Sequence, residues 1–128
     1  MKGDEGSGFW IGREYGKAKR RRLSPRIREV AALAPRVLAK ARRGDAVCRG
    51  IIVEAQEHLA RLVEEVAVKL WRLPALVPVS WAGGLMNDSF FRRGVLERAS
   101  FLLKIAGLRL KAFKSHRPPV EAYFKTRK

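Results

Sequence analysis

Apolar residues recur at three- and four-residue spacing through the first seventy positions of the chain, and at two-residue spacing in short stretches after them. These periods predict helices first and strands later. Phe9 to Arg22 reads as a helix with Phe9, Trp10, Ile11 and Tyr15 on its apolar side. Ser24-Pro25 predicts a helix start, with a hydroxyl at the N-cap and a proline in the first turn, where no N–H is missed. Ile27, Val30, Ala31 and Ala34 follow at helical spacing, and Pro35 is expected to end or kink that helix. Val37, Leu38 and Ala41 make a second short segment, closed by Gly44 as a left-handed C-cap before Asp45 caps the next helix. That helix is the longest, from about Ala46 to Trp71, with Val47, Ile51, Ala55, Leu59, Leu62, Val66 and Leu70 on one predicted core face. Glu57 with Arg61 and Glu65 with Lys69 stand four apart in the favourable order.

The second half changes period. Leu76 to Ala82 is β-rich and runs into Gly83-Gly84, after which Asp88 or Ser89 is expected to cap a helix carrying Phe90, Phe91, Val95, Leu96 and Leu102. Leu108, Leu110 and Ala112 alternate with Arg109, Lys111 and Lys114, which predicts a second strand. Two strands joined through a helix should be parallel with a right-handed crossover. Pro118-Pro119 breaks the chain before a short terminal helix expected over Val120 to Lys128. The fold class is therefore α/β and helix-rich, with long helices and a strand–helix–strand unit. Two strands alone make a poor sheet, so a further element is expected to complete it.

Composition narrows the classes. At 128 residues the chain is one domain, and 47% hydrophobic residues argue against disorder. No apolar run approaches the roughly 20 residues of a membrane span, so no membrane partner is expected. The lone Cys48 excludes a disulfide framework and any intrachain metal site built on several thiolates; with His58 it reads as a core or surface residue of the long helix. Met1-Lys2-Gly3-Asp4 opens no apolar targeting segment, and the expected compartment is cytoplasmic. One Asn, one Gln and 18 Arg against 10 Lys add a weak thermophile hint.

The formal charge of +16 is uneven: residues 17–50 carry +10, residues 98–128 carry +8, and the two remaining stretches −1 each. Charge of this size by itself points to nucleic acid or another polyanion. The densest cluster, Lys17-Ala18-Lys19-Arg20-Arg21-Arg22, has no interleaved aromatic to stack a base, and a solvated face or a helix-dipole cap is the favoured reading.

Two stretches carry candidate chemistry. At the end of a parallel strand, Gly83-Gly84 lets a flat ligand lie on the backbone, although many α/β proteins place a glycine there only to turn the chain. The run Gly3-Asp4-Glu5-Gly6-Ser7-Gly8-Phe9-Trp10-Ile11-Gly12-Arg13 is more specific: its glycines free the backbone around a ligand, and Asp4 or Glu5 can accept hydrogen bonds from sugar hydroxyls.

That run, GDEGSGFWIGRE, resembles the signature of the BadF/BadG/BcrA/BcrD ATPase family, which includes N-acetylglucosamine kinases and related archaeal hexokinases. VAALAPRVLAKARRGDAV, PVSWAGGLMNDSFFRRGVL and RLKAFKSHRPPV are similar, in order, to the family's small-residue helix, its adenosine motif and its last strand. The resemblance covers nearly the whole chain. It implies the C-terminal lobe of an actin-like (ribonuclease H-like) fold and ATP-dependent phosphoryl transfer to a hexose or N-acetylhexosamine, with ATP and Mg2+ as cofactors. It further implies that Asp4 hydrogen-bonds the sugar, that Gly83 and Gly84 approach the adenosine, and that Ala31 and Ala32 line the adenine pocket. The family's phosphate loop on a first β-hairpin, its Asp general base and its second Gly-Thr-Gly-Ser-like loop have no counterpart in this chain, so no catalytic residue and no metal ligand is assigned. The chain is accordingly expected to be a truncated lobe, inactive alone, whose missing N-terminal lobe comes from a separate chain or whose open face is covered by a homodimer. Val120-Glu121-Ala122 stands where the family has a Gly-Ala pair. The family's Fe–S activator branch needs interface cysteines that a lone mid-helix Cys48 does not supply. The alternative from another class is a small basic helical module that binds nucleic acid or dimerises through its open strands.

Overall fold

Side-chain caps set where the helices begin. In the computed structural model, which describes residues 6–19, 30–81 and 83–113, Ser7 Oγ accepts the N–H of Trp10 at 3.1 Å and starts α1 (Gly8–Ala18). Asp45 accepts the N–H of Cys48 at 2.9 Å and starts α3 (Ala46–Leu70), while Gly44 before it adopts φ +100°. Asp88 accepts the N–H of Phe91 at 3.0 Å and starts α5 (Ser89–Ile105). Each cap satisfies one of the helix-end N–H groups that have no intrahelical partner. Between them lie α2 (Ala34–Arg42), β1 (Ala75–Val79) and the single turn α4 (Gly84–Asn87), and β2 (Leu108–Ala112) ends the described chain. Asp4, the Arg20–Arg22 cluster, the Ser24-Pro25 start and the expected terminal helix over Val120 to Lys128 lie outside the described residues.

The sheet is the parallel pair expected from the alternation, in register from Ala75 opposite Leu108 to Val79 opposite Ala112, with α5 as the crossover. The fold is thus helix-rich with a small two-stranded parallel sheet. No helix among the described residues is long and apolar enough to cross a membrane.

The helical path does break ahead of Pro35, as expected, although Ala34 falls in the helix after the break and not in the one before it. The chain is helical at Val30 and Ala31, turns at 32–33, and places Pro35 in the first turn of α2, where its missing N–H leaves nothing unpaired.

The long helix buries a different face from the one its spacing suggested. Ile51 and Ala55 are buried and Leu59 packs against the core, but Val47, Leu62, Val66 and Leu70 are exposed, Leu70 to 68%. Cys48, Ile52, Gln56, Ala60 and Ala67 are buried instead. Over its first half α3 is covered by α1 and α2, which contribute Trp10, Ile11, Tyr15, Val37 and Leu38 to one core cluster. Its second half turns toward a separate cluster of Ala67, Val77, Leu103 and Leu108, so the buried stripe rotates along the helix. Among the described residues neither Glu57–Arg61 nor Glu65–Lys69 forms an ion pair; the pairs that form are Glu14–Lys17 and Arg42–Asp88, with His58 Nε2 standing 3.7 Å from Glu54.

The two clusters are tied together where α3 meets α5. Gln56, only 4% exposed, donates its amide N–H to the carbonyl of Phe91 at 3.0 Å. A Cβ on Gly94 would stand 2.1 Å from Gln56 Nε2, so any other residue there requires the Gln56 amide to move. Gly94→Ala therefore forces the amide out of its buried berth. The substitution should cost about 1–3 kcal/mol net, against the gain of up to about 1 kcal/mol that helix propensity alone predicts. In a Gln56→Ala background the same change should be neutral or stabilising, as measured by denaturant unfolding of the four proteins of the double-mutant cycle. Stabilisation of the parent chain by Gly94→Ala would contradict this close approach.

Candidate functional site

Three segments far apart in sequence meet on one cleft of about 650 Å3. The N-terminal run supplies Gly6, Ser7 and Gly8; the small-residue helix and α2 supply Ala31, Ala34, Pro35, Leu38, Ala39 and Arg42; the double-glycine turn supplies Gly83 to Met86 and Asp88. Leu59 of α3 lies among them. Of the residues singled out from sequence, Gly83, Gly84 and Ala31 line this cleft, whereas Ala32 is exposed in the turn after Ala31 and is not part of the lining.

The glycines of the cleft are there for different reasons. Gly6 has φ +90°, and a Cβ on it would meet the Ala55 carbonyl oxygen and Leu59 Cγ, both at 2.8 Å. Gly12, one helical turn beyond the cleft, would place a Cβ 1.9 Å from the Val30 carbonyl oxygen. Much of the glycine content of the N-terminal run thus serves packing, where the sequence suggested freedom to fold around a ligand. Gly83 is required by its own φ of +90°. Gly84 is different: its φ is ordinary, it opens a helical turn, and a Cβ on it would have nothing within 4 Å. The chain's own packing gives no reason for glycine at 84.

The cleft is carbon-lined with one internal ion pair. Arg42, at the end of α2, donates to the Asp88 carboxylate, and its guanidinium lies 5.7 Å from the Phe90 ring centroid. Burial disfavours the charge on Asp88, but the Phe91 N–H and the Arg42 guanidinium outweigh it and hold the carboxyl below its ordinary range. Arg42 and Asp88 are the charged residues of the lining, and they neutralise each other. Arg92 braces the turn from behind: it stacks 4.6 Å over Trp81 and donates to the Met86 carbonyl at 3.2 Å. Arg42, Leu38 and the Arg92–Trp81 stack escaped the sequence reading, because an arginine near a helix end reads as solvated and an aromatic before a glycine pair reads as strand.

Among the described residues, neither Cys48 nor His58 lines the cleft. Cys48 is buried in the core, and burial together with the neighbouring Asp45 pushes its thiol up, away from a reactive thiolate. His58 packs edge-on against Trp10 with ring centroids 5.5 Å apart, and its Nε2 lies 3.7 Å from Glu54. Among the described residues no group of three or more His, Cys, Asp or Glu could hold a metal ion. No protein-family model matches the chain, and no curated protein or solved structure matches it.

The Asp88 contact sets a pH dependence. Because its folded pKa is depressed, its stabilisation is fully present above the ordinary carboxylate value of 3.8 and is lost as pH falls through the lower folded value. Asp45, lowered by the Cys48 N–H, acts in the same direction. The melting temperature should fall below about pH 4, and more shallowly in Asp88→Asn, which keeps an N-cap acceptor but cannot ionise. An unchanged acid limb in that variant would show that the Arg42–Asp88 pair adds no stability.

Proposed function

We propose that the cleft receives the adenosine end of ATP, and that the chain is the C-terminal part of a sugar-kinase-like ATPase of actin-like fold, of the BadF/BadG/BcrA/BcrD type. The observation that carries this reading is the convergence of three motif segments on one cleft: residues 6–8, Ala31 with α2, and Gly83-Gly84. These segments resemble the family's sugar loop, small-residue helix and adenosine motif, and nothing in the local chain order requires them to meet.

The lining fits a purine nucleoside. Ala31, Ala34 and Pro35 keep one wall low, Leu38, Leu85 and Met86 supply apolar contact, and the bare backbone at Gly84 leaves room for a ring or ribose to approach. The fit to the triphosphate is poorer, since Arg42 is the lining's cation and Asp88 already engages it. Bound ATP would supply the phosphoryl group, with Mg2+ accompanying its phosphates. The parts that position and neutralise a transferring phosphoryl group have no counterpart in this sequence. In this reading the 128-residue chain binds nucleoside and does not phosphorylate a sugar by itself. Asp4 keeps the role that the resemblance gives it, accepting a hydrogen bond from a hexose or N-acetylhexosamine hydroxyl.

Titration calorimetry tests the reading. Adenosine, ADP and ATP should each bind with Kd of about 0.1–1 mM, within about tenfold of one another, because the nucleoside supplies most of the contact. Gly84→Ala should weaken all three by at least about tenfold while raising stability by up to about 1 kcal/mol, since alanine suits a helical turn better than glycine. Absence of adenosine binding, or unaltered binding in Gly84→Ala, would remove the basis for the assignment. Sugar phosphate formed from ATP, Mg2+ and N-acetylglucosamine or glucose by the purified chain would refute the division of labour.

A further inference from the structure

We propose that the groove between α3 and α5 is the surface on which a second copy of this chain docks, as a two-fold symmetric dimer. The groove, of about 420 Å3, shares no residue with the cleft. Ala60 forms its floor on α3, Phe101 and Leu102 its wall on α5, and Glu57, Arg61, Glu97 and Arg98 stand around them. Phe101 is 65% exposed, and Ile105, one turn along the same helix, is 69% exposed. A large aromatic held open in a groove is the usual anchor of a protein interface.

The charge pattern selects the occupant. The chain carries +16, so two copies repel over most of their surfaces. In this groove two carboxylates and two guanidiniums balance, and among the described residues none of the four forms an ion pair; Arg98 only donates to the Gly94 carbonyl of its own helix. An interface that sets a surface against itself gives each carboxylate a guanidinium to meet, so a patch of mixed charge complements its own copy. An acidic protein or a nucleic acid would be drawn to the basic faces, since this groove carries no net charge to attract it. Pairing of copies through the strands is less favoured, because Arg109 and Lys111 are exposed along β2 and would face their own copies.

Sedimentation equilibrium of the full chain tests this. The weight-average mass should rise with concentration from 14.5 kDa toward twice that value, with a dissociation constant of about 1–50 µM. Added salt should tighten the dimer by screening the net repulsion, whereas association bridged by a contaminating polyanion would weaken. Phe101→Glu should raise the constant by at least about 30-fold with unchanged far-UV circular dichroism. The double variants Glu57→Lys/Glu97→Lys and Arg61→Glu/Arg98→Glu should each be monomeric alone and associate when mixed. A parent chain that stays monomeric up to about 300 µM overturns the proposal and leaves the groove to a different occupant. Association that survives Phe101→Glu, or that salt dissolves, overturns it equally.

Discussion

Where α3 crosses α5, the buried amide of Gln56 fills the space that any side chain at position 94 would need, and its N–H meets the Phe91 carbonyl. A polar group 4% exposed is tolerable only when its hydrogen bonds are made, so this contact both permits a close helix approach and fixes its register. The consequences run in both directions along α5. Toward its N-terminus, the crossing sets Asp88 against Arg42 at the end of α2 and so holds the double-glycine turn over the cleft. Toward its C-terminus, it lays Leu103 against Ala67 and brings the chain round to pair β2 with β1. The cleft and the sheet are therefore two ends of one packing decision, made where Gly94 leaves room for the Gln56 amide between the larger buried side chains of the two helices.

The same geometry explains why a chain of +16 folds without assigning its charge to a site. Lysines and arginines gather in the last turns of α1, α2, α3 and α5, where unsatisfied carbonyls favour cations. Some also lie over aromatic rings, with Lys40 both bonded to the Tyr15 hydroxyl at 2.8 Å and placed above its ring. Against this basic background the cleft and the α3–α5 groove stand out as the places where charge is balanced. The cleft is neutral because Arg42 and Asp88 meet each other; the groove is neutral although its four charges do not. A surface with internally satisfied charges suits an uncharged ligand, and one with unsatisfied but balanced charges suits a partner bearing the same set.

Local chemistry was legible in the sequence, and the partners of each face were not. Asp45 as a cap, Gly44 as the left-handed residue before a helix, and alternation in Leu108–Ala112 depend on a few neighbouring residues and stand in the structure as expected, and of the two candidate caps Asp88 and Ser89 the structure takes Asp88. The long helix was placed within a residue at each end, yet Leu62, Val66 and Leu70 on its expected core face are exposed. Spacing identifies a stripe of apolar residues, but which stripe is covered depends on where α1 and α2 stop, a tertiary fact that periodicity does not contain. Pro35 marked the break but not its exact place: a proline that forbids a helix before it equally begins one after it, so Ala34 belongs to the second helix. Of the site, Gly83, Gly84 and Ala31 could be named from motifs, while Arg42 could not, because its meaning comes from Asp88 46 positions away.

The glycines show how a site separates from its scaffold. Gly6 and Gly12 are held by backbone atoms within 3 Å, Gly94 by the buried Gln56 amide, and Gly83 by its backbone angle, so each has a reason in the fold itself to be glycine. Gly84 meets none of these conditions, and glycine costs a helical turn stability relative to alanine. That alone is insufficient evidence, because Gly50 in the middle of α3 also has open space around its missing Cβ, and nothing in the structure explains it. What distinguishes Gly84 is its position: it lies where three separated segments converge on an apolar, charge-neutral cleft, whereas Gly50 lies on the exposed side of a single helix. Gly8, lining the same cleft from α1, likewise has only ordinary contacts of 3.7 Å and beyond around its missing Cβ, so bare helical backbone faces the cleft from two separated segments.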